Sequence, residues 1–260
     1  MILVFDVGNT ETTIGLFDGE RLRHHWRVVT EVSRTPDELV LLLRGLLGGA
    51  GISASDVVGT AIGSVVPALT ESLAEACHQL AGTRPIVVDA RSPLPITLDV
   101  LEPLTVGADR IINTLAASRL FKCDTIVVDL GTATTFDCIT AEGVFLGGVI
   151  APGLRTALET LVRRTSKLPA TELTAPERVI GRRTEECIRA GVLLGSAESA
   201  DGLVRRIKKE WPNGRTPLVV ATGGLAPMLV PHCDEIERIE PTLTLQGLQI
   251  AYELIRTNGA

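Results

Sequence analysis

The chain has no stretch of about 20 uncharged apolar residues, the length a membrane helix needs, and its first residues run from Met1 through an apolar segment to Asp6 without a basic region. Neither a membrane span nor a secretory signal is expected, so the sequence predicts a cytoplasmic protein with no membrane partner. Cysteine is sparse and dispersed: Cys77, Cys123, Cys138, Cys187 and Cys233 form no CxxC pair and have no CxxH partner. That excludes a cysteine-based metal framework and suits reduced thiols. Positive charge is also thin, with 25 basic residues against 31 acidic ones and a net charge of -6. The longest basic cluster, Arg205, Arg206, Lys208 and Lys209, falls in a helical stretch and reads as a solvated face. Nucleic acid is therefore not an expected partner. Two nucleotide-binding fingerprints are missing as well. No G-x-x-x-x-G-K-[ST] occurs, and no G-x-G-x-x-G opens a strand-helix unit, so P-loop and Rossmann folds lack their signature.

What is present is an internal echo. Val4-Phe5-Asp6-Val7-Gly8-Asn9-Thr10-Glu11-Thr12-Thr13 is repeated, in outline, by Val127-Val128-Asp129-Leu130-Gly131-Thr132-Ala133-Thr134-Thr135-Phe136. At the constant offset that carries Asp6 onto Asp129, Val4 matches Val127, Gly8 matches Gly131 and Thr12 matches Thr135. Each copy reads as a buried strand, a tight Gly/Thr turn and a second strand, over 12–17 or 134–140. In such a turn Gly8 and Gly131 remove side-chain bulk, so backbone N–H groups can approach phosphate oxygens. Asn9, Thr10, Thr12, Thr132 and Thr134 add neutral donors, and an Asp at the strand end can hold a cation or its water shell. One Asp-x-Gly is ordinary turn chemistry. Two copies with matched flanks, a domain's length apart, point to a nucleotide gripped between two halves.

The remaining pattern supports two α/β halves. Thr35-Pro36-Asp37-Glu38 is a capping box with Pro at the first helical position, opening a helix that stops at Gly48-Gly49. A strand near 57–62, a helix over 67–80 and a strand at 86–89 complete the first half. The second half repeats the plan with its hairpin, a strand over 144–150, a helix after Pro152-Gly153, a long helix over 184–211 and a strand at 218–222. The expected domains are 1–118 and 119–260, joined without a flexible linker.

Between the hairpins lies Gly107-Ala108-Asp109-Arg110, followed by residues of helical spacing, which places Asp109 in a first helical turn. An acidic residue there is often structural, favoured by the helix dipole. Beside two phosphate-type turns, however, it also supplies what a kinase needs: a carboxylate to orient an attacking hydroxyl and accept its proton. Arg110 offers a planar fork of donors for an anionic or hydroxylated acceptor.

In order and spacing these motifs resemble the type III pantothenate kinase family across nearly the whole chain. Asp6-Val7-Gly8-Asn9-Thr10 is similar to its first phosphate motif, Gly107-Ala108-Asp109-Arg110 to its pantothenate motif and Asp129-Leu130-Gly131-Thr132-Ala133-Thr134-Thr135 to its second phosphate motif. Further matches are residues 147–153, Ile180-Gly181 with Thr184 and Gly191, Thr222-Gly223-Gly224, and residues 243–248. The resemblance implies an α/β fold of two ribonuclease-H-like domains of the actin, hexokinase and Hsp70 type, each a mixed sheet flanked by helices. It implies a homodimer formed through the second half, and ATP-dependent phosphorylation of pantothenate, the first step of coenzyme A synthesis. Asp109 would be the proton acceptor, and Gly107, Ala108, Asp109, Arg110, Thr184 and Val100 would line the pantothenate site. ATP would meet Asp6, Val7, Gly8, Asn9, Thr10, Glu11, Thr12, Thr13, Gly131, Thr132 and Gly223. Asp6 would stand near Mg2+, and Asp129 would ligate a monovalent cation, K+ or NH4+.

Where the family commonly has Tyr-x-Asn-Pro, this chain has Val100-Leu101-Glu102-Pro103. Val100 lacks the phenolic hydroxyl and Glu102 adds negative charge, while Arg183 precedes Thr184 where Asn is common. A kinase for another small hydroxy acid is the alternative this motivates. From a different class, a nucleotide-binding transcription accessory factor without kinase turnover is the second alternative, and a filament-forming actin-like protein the third.

Overall fold

A computed structural model describes residues 1–258. The chain divides into two compact units, one comprising Met1–Leu120 together with the C-terminal helix, the other Phe121–Thr242.

In the first unit, β1 (Ile2–Val7) pairs antiparallel with β2 (Glu11–Asp18), which pairs antiparallel with β3 (Arg21–Val29). On its other side β1 runs parallel to β4 (Gly59–Ser64), and β4 parallel to β5 (Ile86–Val88), giving the order β3-β2-β1-β4-β5. Helices α1 (Pro36–Gly49) and α2 (Pro67–Ala81) cover one face. Their Leu39, Leu43, Leu69 and Leu73 pack on Leu3, Phe5 and Val7. After a short strand β6 (Thr97–Leu98), helix α3 (Ala108–Leu120) lies on the other face, where Ile111, Ile112 and Leu115 meet Ile2 and Val4. Alternation of side chains along β1 forces this split, because successive residues of a strand point to opposite faces. The capping box at α1 forms as its sequence dictates: Thr35 Oγ1 accepts from the Glu38 amide at 3.3 Å, and the Glu38 carboxylate accepts from the Thr35 amide at 2.8 Å.

The second unit repeats the order. β7 (Thr125–Leu130), β8 (Ala133–Ile139) and β9 (Val144–Pro152) form an antiparallel meander. β10 (Leu218–Thr222) runs parallel to β7, and β11 (Arg238–Ile239) parallel to β10. Within the unit the order is thus β9-β8-β7-β10-β11, the same ribonuclease-H-like arrangement. Helix α4 (Leu154–Arg163) follows β9. The long helix expected over 184–211 is realised as α5 (Thr184–Arg189), a π-helical turn Ala190–Leu194 and α6 (Gly195–Glu210), with α7 (Ala226–Leu229) after β10. The π turn inserts a residue into the helical register, a feature that often accompanies sites.

Two expectations change. The span 119–260 does not hold together as one unit, because α8 (Leu243–Asn258) returns to the first: its Leu245, Leu248 and Ala251 join Ile111, Ile112 and Leu115 of α3. A Cβ on Gly247 would stand 2.6 Å from the Ile112 carbonyl oxygen, so glycine is what lets the two helices approach. Strand β3 was not expected at all. It is a sheet edge carrying Arg21, Arg23, His24, His25 and Arg27, and only Leu22, Trp26 and Val28 pack inward; charge of this kind blunts an edge against pairing with other chains.

Asp124, at the entrance to β7, locks the second unit. Its carboxylate accepts from Trp211 Nε1 at 2.9 Å, from the Ala141 amide at 2.9 Å and from Arg215 Nη1 at 3.5 Å. Burial alone would push this carboxyl up, but the Trp211, Ala141 and Arg215 donors outweigh burial and hold it below the usual carboxylate range. A carboxyl lowered in the folded state stabilises above its unfolded pKa, and that contribution is lost as pH falls through the lowered value. Asp124→Ala strands the indole and Ala141 donors, and is expected to cost about 1–3 kcal/mol in urea denaturation at pH 7, with the difference from the parent shrinking in acid.

Candidate active site

The two glycine turns stand at the carboxyl ends of the first strand of each sheet, and each is built within its own unit. In the first, the Gly8 amide donates to the Glu11 carbonyl at 3.1 Å, closing the turn between β1 and β2. Asn9, Thr10 and Glu11 are exposed at its tip, whereas Thr12 is buried. Thr30, just past β3, holds the turn from behind. Its amide donates to the Thr10 carbonyl at 3.0 Å, and its hydroxyl donates to the Gly8 carbonyl at 2.7 Å. Thr30 Oγ1 also lies 2.9 Å from Thr12 Oγ1. A hydroxyl has one proton, so with Thr30's given to Gly8, Thr12 is the donor to Thr30. The sequence pattern offered no signal for Thr30.

In the second, the Gly131 amide donates to the Ala133 carbonyl at 3.0 Å. Strand pairing sets Val7 opposite Thr12 but Leu130 opposite Thr134, so the second turn is one residue shorter. The counterpart of Thr12 is therefore Thr134, and that of Thr13 is Thr135, rather than the Thr12–Thr135 match of the constant offset. The Thr132 carbonyl accepts twice, from the Gly153 amide at 3.2 Å and from Thr156 Oγ1 at 2.7 Å. A Cβ on Gly153 would come within 2.5 Å of both the Gly131 and Thr132 carbonyl oxygens. Gly223, at φ +90°, lies against the other side, where a Cβ would stand 2.6 Å from Asp129 Oδ1.

Asp6 alternates along β1 with Ile2 and Val4, so it faces the α3 side of its sheet. Asp109 is brought to that end of the unit in two steps. The Val65 amide, just past β4, donates to the Val7 carbonyl at 3.1 Å. Val65 in turn flanks Gly107, where a Cβ would find Val65 Cγ1 at 3.5 Å and Asp109 Oδ1 at 2.5 Å. Gly107 must be glycine for the Asp109 carboxylate to fold back over it. Asp109 Oδ1 accepts from the Arg110 amide at 2.9 Å. Burial pushes its carboxyl up from the ordinary aspartate value, and the Arg110 amide and guanidinium only partly oppose this. A carboxylate so placed is a stronger base than one in water, which suits proton acceptance. Val100 is half-buried ahead of the short 3-10 turn Pro103–Thr105, and Glu102 is exposed at the start of that turn.

In the second unit, Thr184 opens α5 and faces a cavity of about 680 Å³ that it shares with Thr134, Phe136, Pro152, Gly191 and Ser196. Gly181 makes this approach possible, since a Cβ there would lie 2.6 Å from the Cys187 amide nitrogen. The structure thus gathers Asp6, Gly8, Gly107, Asp109 and Arg110 at one end of the first unit. Asp129, Gly131, Thr132 and Gly223 come together in the second, with Thr184 joined to them through the strand carrying Thr134.

Residues 2–206 match the model of the family described as type III pantothenate kinase. A type III pantothenate kinase from Thermomicrobium roseum is 44% identical over 261 residues, covering 100% of each chain. Among solved structures, a Campylobacter jejuni protein described as a Baf family transcriptional activator has a TM-score of 0.61 at 17% identity, over 98% of this chain and 99% of that one. The activator of 2-hydroxyisocaproyl-CoA dehydratase from Clostridium difficile, with bound ADPNP, has a TM-score of 0.59 at 13% identity, over 99% and 96%. At these identities the solved structures share the fold.

Gly223→Ala puts a methyl group into Asp129 and Leu130 at a left-handed backbone position. It is expected to lower stability by about 1–3 kcal/mol or more, read as a drop in Tm; an unchanged Tm would show that the second turn yields without strain.

Proposed function

The chain belongs to the type III pantothenate kinase family, and on that footing we propose that it transfers the γ-phosphoryl group of ATP to the primary hydroxyl of pantothenate, the first step of coenzyme A synthesis, with Asp109 as the proton acceptor. What carries this reading is the pairing of full-length similarity with a half-buried carboxylate, its pKa raised by desolvation, at the same end of the unit as the first glycine turn.

The two turns bind the phosphate chain of ATP through backbone amides. Thr12 supports the first turn through Thr30, leaving Gly8, Asn9, Thr10, Gly131 and Thr132 nearest the phosphates. Asp109 orients the pantothenate hydroxyl and takes its proton as the phosphoryl group passes over. Arg110, Thr184 and the segment containing Val100 hold the acceptor; Arg110 is half-buried, where a guanidinium meets a carboxylate with less competition from water.

Among the described residues no three His, Cys, Asp or Glu side chains gather to hold a metal ion. Kinase cations do not need such a cage, because Mg2+ keeps waters and phosphate oxygens and takes one or two carboxylates from the protein. Asp6 fits that role, and Mg2+ bound there offsets charge on the transferring group. Asp129 fits a monovalent cation, K+ or NH4+, as the strand-end carboxylate at the second glycine turn, where the Gly223 backbone comes close to its Oδ1.

The second unit exposes Ile150, Val179 and Ile180. These apolar side chains support a homodimer formed through that unit, in which Thr184 serves the neighbouring protomer's pantothenate. Among the described residues no helix is long and apolar enough to cross a membrane, and the five cysteines are free thiols; both support a cytoplasmic reaction.

In a coupled ADP-release assay the parent is expected to turn over only with pantothenate present, and preference for another hydroxy acid would redirect the assignment. Asp109→Asn is expected to lower kcat by about two to four orders of magnitude with ATP binding retained. It should also remove the acid limb of the pH profile, whose midpoint lies above the ordinary aspartate range. A carboxyl raised in the folded state opposes folding as pH rises through its folded pKa, so the same variant is expected to raise Tm at pH 7. Loss of ATP affinity instead would reassign Asp109. Asp129→Ala is expected to abolish activation by K+, and a variant still activated would refute that cation site.

A further inference from the structure

We infer that Thr30 and Thr156 are positioning residues for the nucleotide, each turning one peptide plane of a phosphate turn so that its amide faces the phosphate chain. The inference rests on the assignment of the two turns to ATP phosphates and adds residues outside them.

The two threonines occupy equivalent places, each shortly past the third strand of its sheet. Thr30 follows β3, and Thr156 lies in the first turn of α4, after β9. Each hydroxyl donates at 2.7 Å to a carbonyl inside the turn of its own unit, Thr30 to Gly8 and Thr156 to Thr132. In a trans peptide the C=O of one residue and the N–H of the next point in opposite directions from one plane. Holding the Gly8 carbonyl therefore aims the Asn9 amide away from Thr30, and holding the Thr132 carbonyl aims the Ala133 amide away from Thr156.

A glycine turn is where this matters. Gly8 lacks the Cβ that would restrict its ψ, so the Gly8–Asn9 plane flips easily unless something holds it; the Thr132–Ala133 plane, one residue past Gly131, is held in the same way. A flipped plane would present a carbonyl oxygen to phosphate, exchanging a donor for a repelling acceptor. The two carbonyls are held in different ways. At the first turn Thr12 donates to Thr30, so the two hydroxyls form a relay ending on Gly8. At the second the Gly153 amide reinforces Thr156 on the same oxygen. The shorter second turn is thereby clasped by the start of a helix, the longer first one by a side-chain chain.

The test is steady-state kinetics on the full-length enzyme, with ATP and pantothenate varied separately and Tm measured in parallel. Thr30→Val and Thr156→Val keep side-chain shape and remove the donor. Each is expected to raise KM for ATP about five- to tenfold, the worth of about one hydrogen bond, with KM for pantothenate unchanged. Thr30→Ser and Thr156→Ser keep a hydroxyl and are expected to restore the parent value. Because the turns lie in separate units, the double Val variant should show the product of the two effects. Val variants with lower Tm and unchanged KM for ATP would overturn the inference and leave a structural role only. If either Val variant fails to fold, the Cys variant at that position, a weak donor of similar size, replaces it under the same criterion. Absence of ATP turnover in the parent would instead overturn the assignment of the turns themselves.

Discussion

Each glycine turn holds its shape because the strand leading into it has no freedom. β1 is paired on both edges and buried on both faces, with Leu3, Phe5 and Val7 pinned under α1 and α2, and Ile2 and Val4 under α3 and α8. β7 is likewise paired on both edges, with Ile126, Val128 and Leu130 in the core of the second unit. Side-chain alternation then leaves no choice about the strand end. A one-residue slip would carry Asp6 into the α1–α2 core and drive Phe5 into the α3–α8 face that Ile2 and Val4 fill, so the hydrophobic core fixes where the carboxylate stands. The strand-end aspartates are thus positioned by apolar burial a few residues upstream.

How much of this could be read from residues follows from how local each feature is. The two hairpins, the α1 capping box and the helical placement of Asp109 depend on neighbours within a few positions, and their patterns are visible in the chain. The register difference between the turns is not, because residue spacing counts positions and says nothing of which residue pairs across the strand. Helix α8 falls outside the half its position predicts for a related reason: its partner α3 is more than a hundred positions away, and only tertiary packing of Leu245, Gly247 and Leu248 on α3 reveals it. Strand β3 was hidden by its exposed arginines and histidines, since an edge strand needs only a thin apolar stripe. Thr30 and Thr156 carried no signal because a threonine after a strand is common, and what distinguishes these two is the carbonyl each one holds.

Asp109 shows the site working against the fold. Its half-buried carboxylate is held above its ordinary pKa because the charged form is poorly solvated, and the same poor solvation makes it a better proton acceptor. Gly107 deepens the effect by letting the carboxylate fold back over the backbone, where its hydrogen bond comes from the neighbouring Arg110 amide. Asp124 is the converse: its residue is buried, yet donors from Trp211, Ala141 and Arg215 surround it, and its carboxyl is lowered. One aspartate is surrounded by donors, and the other is left short of them, which suits the proton acceptance proposed for it. The difference lies in the balance between desolvation, which wins at Asp109, and the donors, which win at Asp124.

The duplicated architecture sharpens what the turns require. Strand order, pairing sense and the position of the strand-end aspartate are repeated in both units, whereas turn length, the residue beyond the glycine and the element behind it are not. What recurs despite those differences is a threonine hydroxyl on an internal carbonyl, reached from a strand end in one unit and a helix in the other. Two turns of unequal length cannot present the same side chains to a ligand. They can present the same backbone, provided each peptide plane is held. That common element is the orientation of an amide, and it is what the two turns need to share if, as proposed, they bind phosphate through their main chain.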